Sequence, residues 1–195
     1  MRKLTCFADI PRFTSWGSYS VNVSWDYVEK TLDEYAKAVR VDLDPDFQRA
    51  HVWTAKQQSR YVEYILRGGK SSRDIYWNCK GWHLRMEGPM VLVDGKQRLE
   101  AVRKFMANKL PAFGSTFSEY TDRMRLIETG FVFHVNDLAT RAEVLQWYID
   151  INAGGVAHTE AEIAKVRALL DAEAAPSPLP APSQGEPSKQ GGQRR

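Results

Sequence analysis

The apolar positions of this chain switch between the period of a strand and the period of a helix. Residues 90–93 are a continuous apolar run, which predicts a buried strand. Asp94 and Gly95 follow as a turn pair, and apolar residues then recur at helical spacing from Leu99 onward. The pattern therefore predicts a strand, a tight glycine turn and a helix that begins at or near Lys96.

Similar patterns predict further elements on both sides of this unit. Apolar, aromatic and alternating residues predict strands over 19–23, 41–43, 73–78, 82–85 and 131–135. The strands over 73–78 and 82–85 would form a hairpin before residue 90. Helical spacing predicts helices over 24–39, with Ser24 as N-cap, and 54–67. Capping-box pairs open the second of these and two later helices: Thr54–Gln57, Thr140–Glu143 and Thr159–Glu162.

Composition places the chain among ordinary globular proteins. The 195 residues are 43% hydrophobic and 26% charged, which predicts one compact domain with its own core. The formal net charge of +3 is mildly basic. Such a charge is compatible with nucleic-acid binding but does not require it.

Cysteine use and the absence of long apolar runs bear on the compartment. The two cysteines, Cys6 and Cys79, match no metal-ligand spacing and suit a reducing cytosol. No stretch approaches ~18 apolar residues, so we expect a cytoplasmic protein without a membrane partner. Residues 172–195 are rich in Pro, Ser, Gly and Gln and are expected to form a disordered tail.

The turn at Gly95 is the first candidate site. The leading N–H groups of a helix lack intrahelical partners and meet the positive end of its dipole, so this end binds anions. Lys96 and Arg98 add cations there, where they disfavour the helix itself. Arg98 either contacts a phosphate or carboxylate ligand or orients the turn by pairing with Asp94 or with an acid elsewhere. Asp94 either binds Mg²⁺, orients a water or caps the helix. Gln97 either contacts a ribose, base or water or is a solvated residue of the first turn.

Three separated segments then resemble one family. They are Pro45-x-Phe47-Gln48-Arg49-x-x-Val52-Trp53, Val93-Asp94-Gly95-Lys96-Gln97-Arg98-Leu99 and Ile151-Asn152-Ala153-Gly154-Gly155-Val156. The family is the N-terminal domain of GmrSD-type restriction components, in the ParB/sulfiredoxin-like superfamily. The resemblance covers roughly residues 41–170, with Lys96 standing where the family usually has Gln.

The resemblance implies a small α/β (α+β) fold, with a mixed sheet flanked by helices and a nucleotide site. The domain would span 41–171, with residues 1–40 as an extension packed on it. The cofactors implied are an NTP of unspecified base and Mg²⁺. The residues implied to be catalytic are Asp94, Arg98 and Gln97, with Asp94 also the metal ligand. Those implied to bind nucleotide are Gln48, Arg49, Gly95, Lys96, Asn152, Gly154 and Gly155.

Three functions follow from the resemblance as expectations. The first is NTP binding, with hydrolysis, in DNA metabolism or phage–host restriction conflict. The second is a non-catalytic DNA- or protein-binding regulator or inhibitor of a larger complex, with a nuclease component as one such protein partner. The third is a ParB-like DNA nuclease. Because the four histidines show no HNH-like spacing, we do not expect this chain to cleave DNA by itself in the GmrSD manner.

Overall fold

The computed structural model describes residues 19–48, 52–122, 124, 129–153 and 160–174, together with Lys3, Thr5, Cys6 and Ile10. Within this part of the chain, one five-stranded mixed sheet is flanked by α-helices, which confirms the predicted α/β (α+β) class. Several predictions made from the sequence fall outside the described residues. They are the capping residue Thr159, the site residues Arg49, Gly154 and Gly155, most of the 1–40 extension before residue 19, and the tail beyond 174. Residues 172–174, expected to begin that tail, instead end the last helix.

The elements follow the predicted order with small shifts of their ends. The strands are β1 (Tyr19–Ser24), β2 (Val41–Asp42), β3 (Asp74–Asn78), β4 (Met90–Asp94) and β5 (Gly130–Asn136). The helices are α1 (Val28–Ala38), α2 (Ala55–Leu66), α3 (Lys96–Met106), α4 (Arg141–Ala153) and α5 (Glu160–Ala174). Among the described helices, none has both the length and the apolar character that crossing a lipid bilayer requires.

The sheet has the strand order β1-β5-β3-β4-β2. β1 runs antiparallel to β5, and β3 runs parallel to β5 and antiparallel to β4. The short strand β2 pairs in parallel with β4. β1 is therefore an edge strand, as its alternating pattern predicts, and the carboxyl end of β4 delivers the chain directly to Gly95.

Two local predictions are wrong. The strand expected over 82–85 is a series of turns, in which Trp82 N–H donates to Cys79 O at 3.1 Å and Leu84 N–H to Gly81 O at 3.0 Å. These bonds use donors that a strand would direct to a neighbour, and Leu84 is 83% exposed. Ser24 does not cap an α-helix either, because its Oγ donates to Asp26 Oδ1 at 2.6 Å and a 3-10 turn precedes α1.

The two faces of the sheet carry different cores. One face holds Ile75, Trp77 and Phe133 and packs on α1, α2 and α3 in a large apolar cluster. The other face packs in part on α4 and α5 through a smaller cluster that includes Val93 and Leu145. Since side chains alternate along a strand, the outward residues of β3 and β5 share the second face, which is only partly covered and carries polar side chains.

Candidate anion-binding site at the start of the third helix

Gly95 joins β4 to α3 in a conformation that favours glycine. Its φ is 103° and ψ is 6°, in the left-handed region. A Cβ built at this position would lie 2.5 Å from Ile75 Cδ1 and 3.3 Å from Asp74 O. The sequence alone leaves open whether Gly95 serves a positive φ or the approach of the backbone to an anion. The structure shows the positive φ, together with close packing of the turn against β3.

The first turn of α3 has no capping side chain from its N-cap residue, because that residue is Gly95. The starts of α2 and α4 differ. Thr54 and Gln57 form a reciprocal capping box, and Thr140 and Glu143 make the corresponding hydrogen bonds. The positive end of the α3 dipole is therefore a place where an anion from outside the chain is stabilised.

Arg98 is directed toward this turn and is paired within the chain. Its Nη2 donates to Asp94 Oδ2 at 2.7 Å and to Asp74 O at 3.0 Å. The side chain is 21% exposed. Its Nε is buried and has no hydrogen-bond partner among the described residues. The ion pair with Asp94 therefore exists, and the guanidinium retains donor capacity because it carries five N–H groups.

Lys96 is also paired with a carboxylate. Its Nζ donates to Asp44 Oδ1, which links the first turn of α3 to the segment after β2. The Lys96 side chain is 17% exposed, whereas that of Asp44 is 78% exposed. Since Asp44 is largely solvated, a phosphate at the helix start could compete with it for the ammonium group at modest cost.

Gln97 and Gln48 tie the first motif to the second. Gln97 is buried, and its Oε1 accepts from the backbone N–H groups of Val52 and Trp53, both at 3.1 Å. Gln48 Nε2 donates to Leu92 O on β4. Gln97 is thus not the solvated first-turn residue that the sequence allows. It holds the segment before α2 against the start of α3.

The predicted residues of these two motifs converge on one small cavity. Its lining residues are Gln48, Trp53, Asp94, Gly95, Lys96, Gln97, Arg98 and Tyr148. The cavity volume is about 70 Å³. Cavities that enclose a drug-sized ligand have roughly 300–1,000 Å³, so this one has room for a single small anion and not for a whole nucleotide.

The third motif is only partly described. Asn152 lies in the last turn of α4 and donates its Nδ2 to Tyr148 O at 2.7 Å, so it satisfies a carbonyl of its own helix. The two residues that sequence reasoning did not assign to the site, Tyr148 and Trp53, lie in the cavity wall. Their spacing predicts core packing, and no local signal distinguishes a core aromatic from one that lines a cavity.

The cavity offers little to a metal ion by itself. Among the described residues, no group of three or more His, Cys, Asp or Glu side chains could hold a metal. Mg²⁺ is commonly bound through one or two carboxylates together with substrate phosphates and waters. Asp94 fits that role only alongside phosphate oxygens. It would bind the metal through Oδ1, because Oδ2 accepts from Arg98.

A second polar group, not predicted as a site, lies on the partly covered face of the sheet. His134 Nε2 is 2.7 Å from Asp74 Oδ1, and His134 Nδ1 is 2.9 Å from Ser20 Oγ. Tyr76 stacks on the His134 ring with centroids 4.8 Å apart. Burial, with smaller contributions from Asp74 and Asp94, raises the pKa of Tyr76 above its usual value. These side chains belong to three strands far apart in sequence.

The described residues form a mixed α/β fold in which a glycine turn, Lys96 and Arg98 line one small cavity at a helix start. Comparison with protein-family models, curated proteins and solved structures finds no match to the chain. The chemistry of the site rests on the geometry described above.

Gln97 provides a test of how the cavity is held together. In Gln97→Leu, the N–H groups of Val52 and Trp53 lose their acceptor, and we expect the free energy of unfolding to fall by about 1–3 kcal/mol. In Gln97→Glu the acceptor remains, and a carboxylate near a helix N-terminus is favourable, so we expect a change below about 1 kcal/mol. Urea denaturation followed by circular dichroism measures both. Equal losses in the two variants would show that the bonds at Oε1 contribute nothing.

Proposed function

We propose that this chain is a nucleotide-binding domain of the GmrSD N-terminal, ParB-like type. It binds an NTP and transfers the terminal phosphoryl group to water, in DNA metabolism or phage–host restriction conflict. One observation carries the proposal. Seven residues from two motifs that lie far apart in sequence line one cavity at the start of α3: Gln48, Trp53, Asp94, Gly95, Lys96, Gln97 and Arg98.

A phosphate group is the ligand that this cavity suits best. The cavity volume of about 70 Å³ accommodates a phosphate group, and the helix start supplies N–H donors and a positive dipole end. Lys96 and Arg98 bring two cations to the same wall. Arg98 suits phosphate because its guanidinium is positively charged and, while Nη2 stays bonded to Asp94 and Asp74 O, still has the N–H groups of Nη1 to donate. The ribose and base would then lie outside the cavity.

Catalysis at such a site consists of positioning and charge stabilisation. Arg98 would stabilise charge on the phosphoryl oxygens, and Gly95 allows the backbone to approach them. Asp94 would hold Mg²⁺ together with those oxygens, and the metal would supply further positive charge. Gln97 would hold the cavity wall in place, since its Oε1 accepts hydrogen bonds from the backbone N–H groups of Val52 and Trp53. Lys96 places a cation where the family usually has a neutral Gln.

The test is isothermal calorimetry with each of the four NTPs and with tripolyphosphate, with and without Mg²⁺, followed by a phosphate-release assay. We expect Arg98→Ala to weaken binding about tenfold or more, because a charge-assisted hydrogen bond contributes about 1.5–3 kcal/mol. The matched control is Arg103→Ala. Arg103 lies on the same helix and pairs with Glu29, so its loss should leave binding unchanged.

Two results would overturn the proposal. One is the absence of binding of any NTP to the wild-type chain. The other is an equal effect of Arg98→Ala and Arg103→Ala, because it would show that Arg98 makes no special contact with the ligand. Tripolyphosphate has no ribose and no base, so its affinity shows how much of the binding comes from contacts with the phosphates alone.

The second candidate is a non-catalytic DNA- or protein-binding module. It is favoured by the pairing of both site cations with carboxylates, Lys96 with Asp44 and Arg98 with Asp94. Such pairs can serve only to hold the turn. This alternative predicts gel retardation of DNA, or capture of a protein partner, that does not change when nucleotide is added. A nuclease would instead nick supercoiled plasmid in the presence of Mg²⁺ or Mn²⁺.

A further inference from the structure

Ser20, His134 and Asp74 form a continuous hydrogen-bonded chain across three neighbouring strands. Ser20 on β1 lies opposite His134 on β5 in the strand register. Ser20 Oγ is 2.9 Å from His134 Nδ1, and His134 Nε2 is 2.7 Å from Asp74 Oδ1 on β3. A hydroxyl within reach of an imidazole that a third group orients is the arrangement that activates a serine nucleophile.

The chemistry of the partners determines which ring nitrogen carries the proton. An ionised carboxylate only accepts hydrogen bonds, so the His134 nitrogen that faces Asp74, Nε2, carries the hydrogen of the neutral ring. Nδ1 then presents a lone pair, and the Ser20 hydroxyl donates to it. The neutral ring is thus held in the form in which its basic nitrogen faces the serine.

The ring is held in position while the serine is accessible. Tyr76 stacks on His134 at an interplanar angle of 17°, and Trp147 packs edge-on against Tyr76 with centroids 6.1 Å apart. The His134 side chain is 24% exposed. Ser20 is exposed and lies on an edge strand. A substrate could therefore approach Oγ while the base and its orienting carboxylate stay in place.

Ser20 and His134 lie apart from the cavity at Gly95, whereas Asp74 adjoins it through its backbone oxygen, which accepts from Arg98. The strand register places Ser20, His134, Tyr76 and Asp94 in one row across four neighbouring strands. With adjacent strands about 4.8 Å apart, Ser20 lies about 14 Å from Asp94. A phosphate held at the start of α3 does not reach it, so the role of Ser20 is independent of the nucleotide function proposed above.

We propose that Ser20 is a nucleophile for activated carboxylic esters, with His134 as its general base and Asp74 as the positioning residue. Ser20 Oγ forms a bond to the carbonyl carbon while its proton passes to His134 Nδ1. The bond to the leaving oxygen breaks, and that oxygen takes the proton. Water then attacks the acyl-serine by the same route, returning the proton to Oγ. The net reaction consumes one ester and one water and yields an acid and an alcohol.

A fluorophosphonate probe tests the nucleophile directly. It forms a bond between phosphorus and Ser20 Oγ and releases fluoride, and the label is located by mass spectrometry of tryptic peptides. The internal control is Ser118, which is exposed and whose backbone N–H donates to Asn108 Oδ1 at 2.7 Å. We expect Ser20 to react at least about tenfold faster than Ser118, because general-base catalysis contributes about 10²–10⁴-fold.

Two variants test whether His134 is responsible for the reactivity of Ser20. His134→Gln keeps a hydrogen-bonding side chain but no basic nitrogen, so labelling of Ser20 should fall to the level of Ser118. Ser118→Ala should leave the labelling of Ser20 unchanged. Equal labelling of Ser20 and Ser118 in the wild type, or an undiminished rate in His134→Gln, overturns the proposal. All variants are first matched by circular dichroism to the wild type.

Asp74 requires a measurement that a purely structural role would not affect. ¹⁵N NMR of the imidazole nitrogens reports which one carries the hydrogen, and we expect Nε2 of His134 in the wild type. Asp74→Asn offers both a donor and an acceptor, so we expect a mixture of the two ring forms and slower labelling of Ser20. An unchanged ring form with an unchanged labelling rate would overturn the positioning role.

Discussion

Replacing Gly95 with alanine is expected to lower the free energy of unfolding by about 2–4 kcal/mol, the sum of backbone strain and overpacking. The residue has φ 103°, where a side chain is strained. The new Cβ would also meet Ile75 Cδ1 at 2.5 Å and Asp74 O at 3.3 Å. Ile75 is fully buried in the main core, so it has little room to move. Both costs fall on the turn that carries the proposed phosphate site.

Gly114 is the matched control for this substitution. Its φ is 84°, yet nothing lies within 4 Å of the Cβ that alanine would add. Gly114→Ala therefore measures backbone strain alone, and we expect a loss of about 1 kcal/mol. Urea denaturation of both variants gives the packing contribution at Gly95 by difference. If Gly95→Ala lost no more stability than Gly114→Ala, the close packing of the turn on β3 would be refuted.

Replacing Trp77 with alanine is expected to lower the free energy of unfolding by about 3–5 kcal/mol, the usual cost of removing a large aromatic side chain from a core. Trp77 is completely buried on β3, where its ring packs against those of Phe133 and Tyr35, with centroids 5.5 and 6.4 Å away. Removing it would leave a cavity between the sheet and the helices on its main face.

Trp77→Phe separates the packing of the ring from its polar atom. Trp77 Nε1 is buried and has no hydrogen-bond partner among the residues that the structure describes. Phenylalanine keeps an aromatic ring and removes this unsatisfied donor, whose burial costs about 1–3 kcal/mol. We expect this variant to retain at least about 2 kcal/mol more stability than Trp77→Ala in thermal or urea denaturation. A phenylalanine variant as unstable as the alanine variant would contradict this account.

Features that depend on nearby residues were predictable from the sequence. The turn at Asp94-Gly95 and the start of α3 at Lys96 follow from a turn pair beside two apolar patterns, and both are confirmed. The capping box of α2 involves residues only three positions apart, so its signature is local as well. The strand expected over 82–85 failed for the opposite reason. Its pattern does not reveal that hydrogen bonds within the segment replace those to a neighbouring strand.

The candidate cavity likewise combines contacts between nearby residues, which the sequence predicts, with contacts between distant elements, which it does not. The pairing of Arg98 with Asp94 joins residues four positions apart at the junction of β4 and α3, and the sequence offers it as one of several alternatives. The second bond of Arg98, to Asp74 O, and the bonds of Gln97 to the segment before α2 join residues from different elements. Those contacts decide which side chains are already engaged in holding the turn, and no local pattern contains that information.

Apart from the strand expected over 82–85, the sequence by itself determined the order of strands and helices. It also determined the glycine turn and the concentration of charge at Lys96 and Arg98, because each depends on residues nearby in the chain. Only the tertiary structure decided that Ser20, His134 and Asp74 meet. Each is an outward polar residue of a strand, which is ordinary in a sheet with one partly covered face. Their hydrogen bonds span 114 and 60 residues, so they depend on strand order and register, which long-range packing determines.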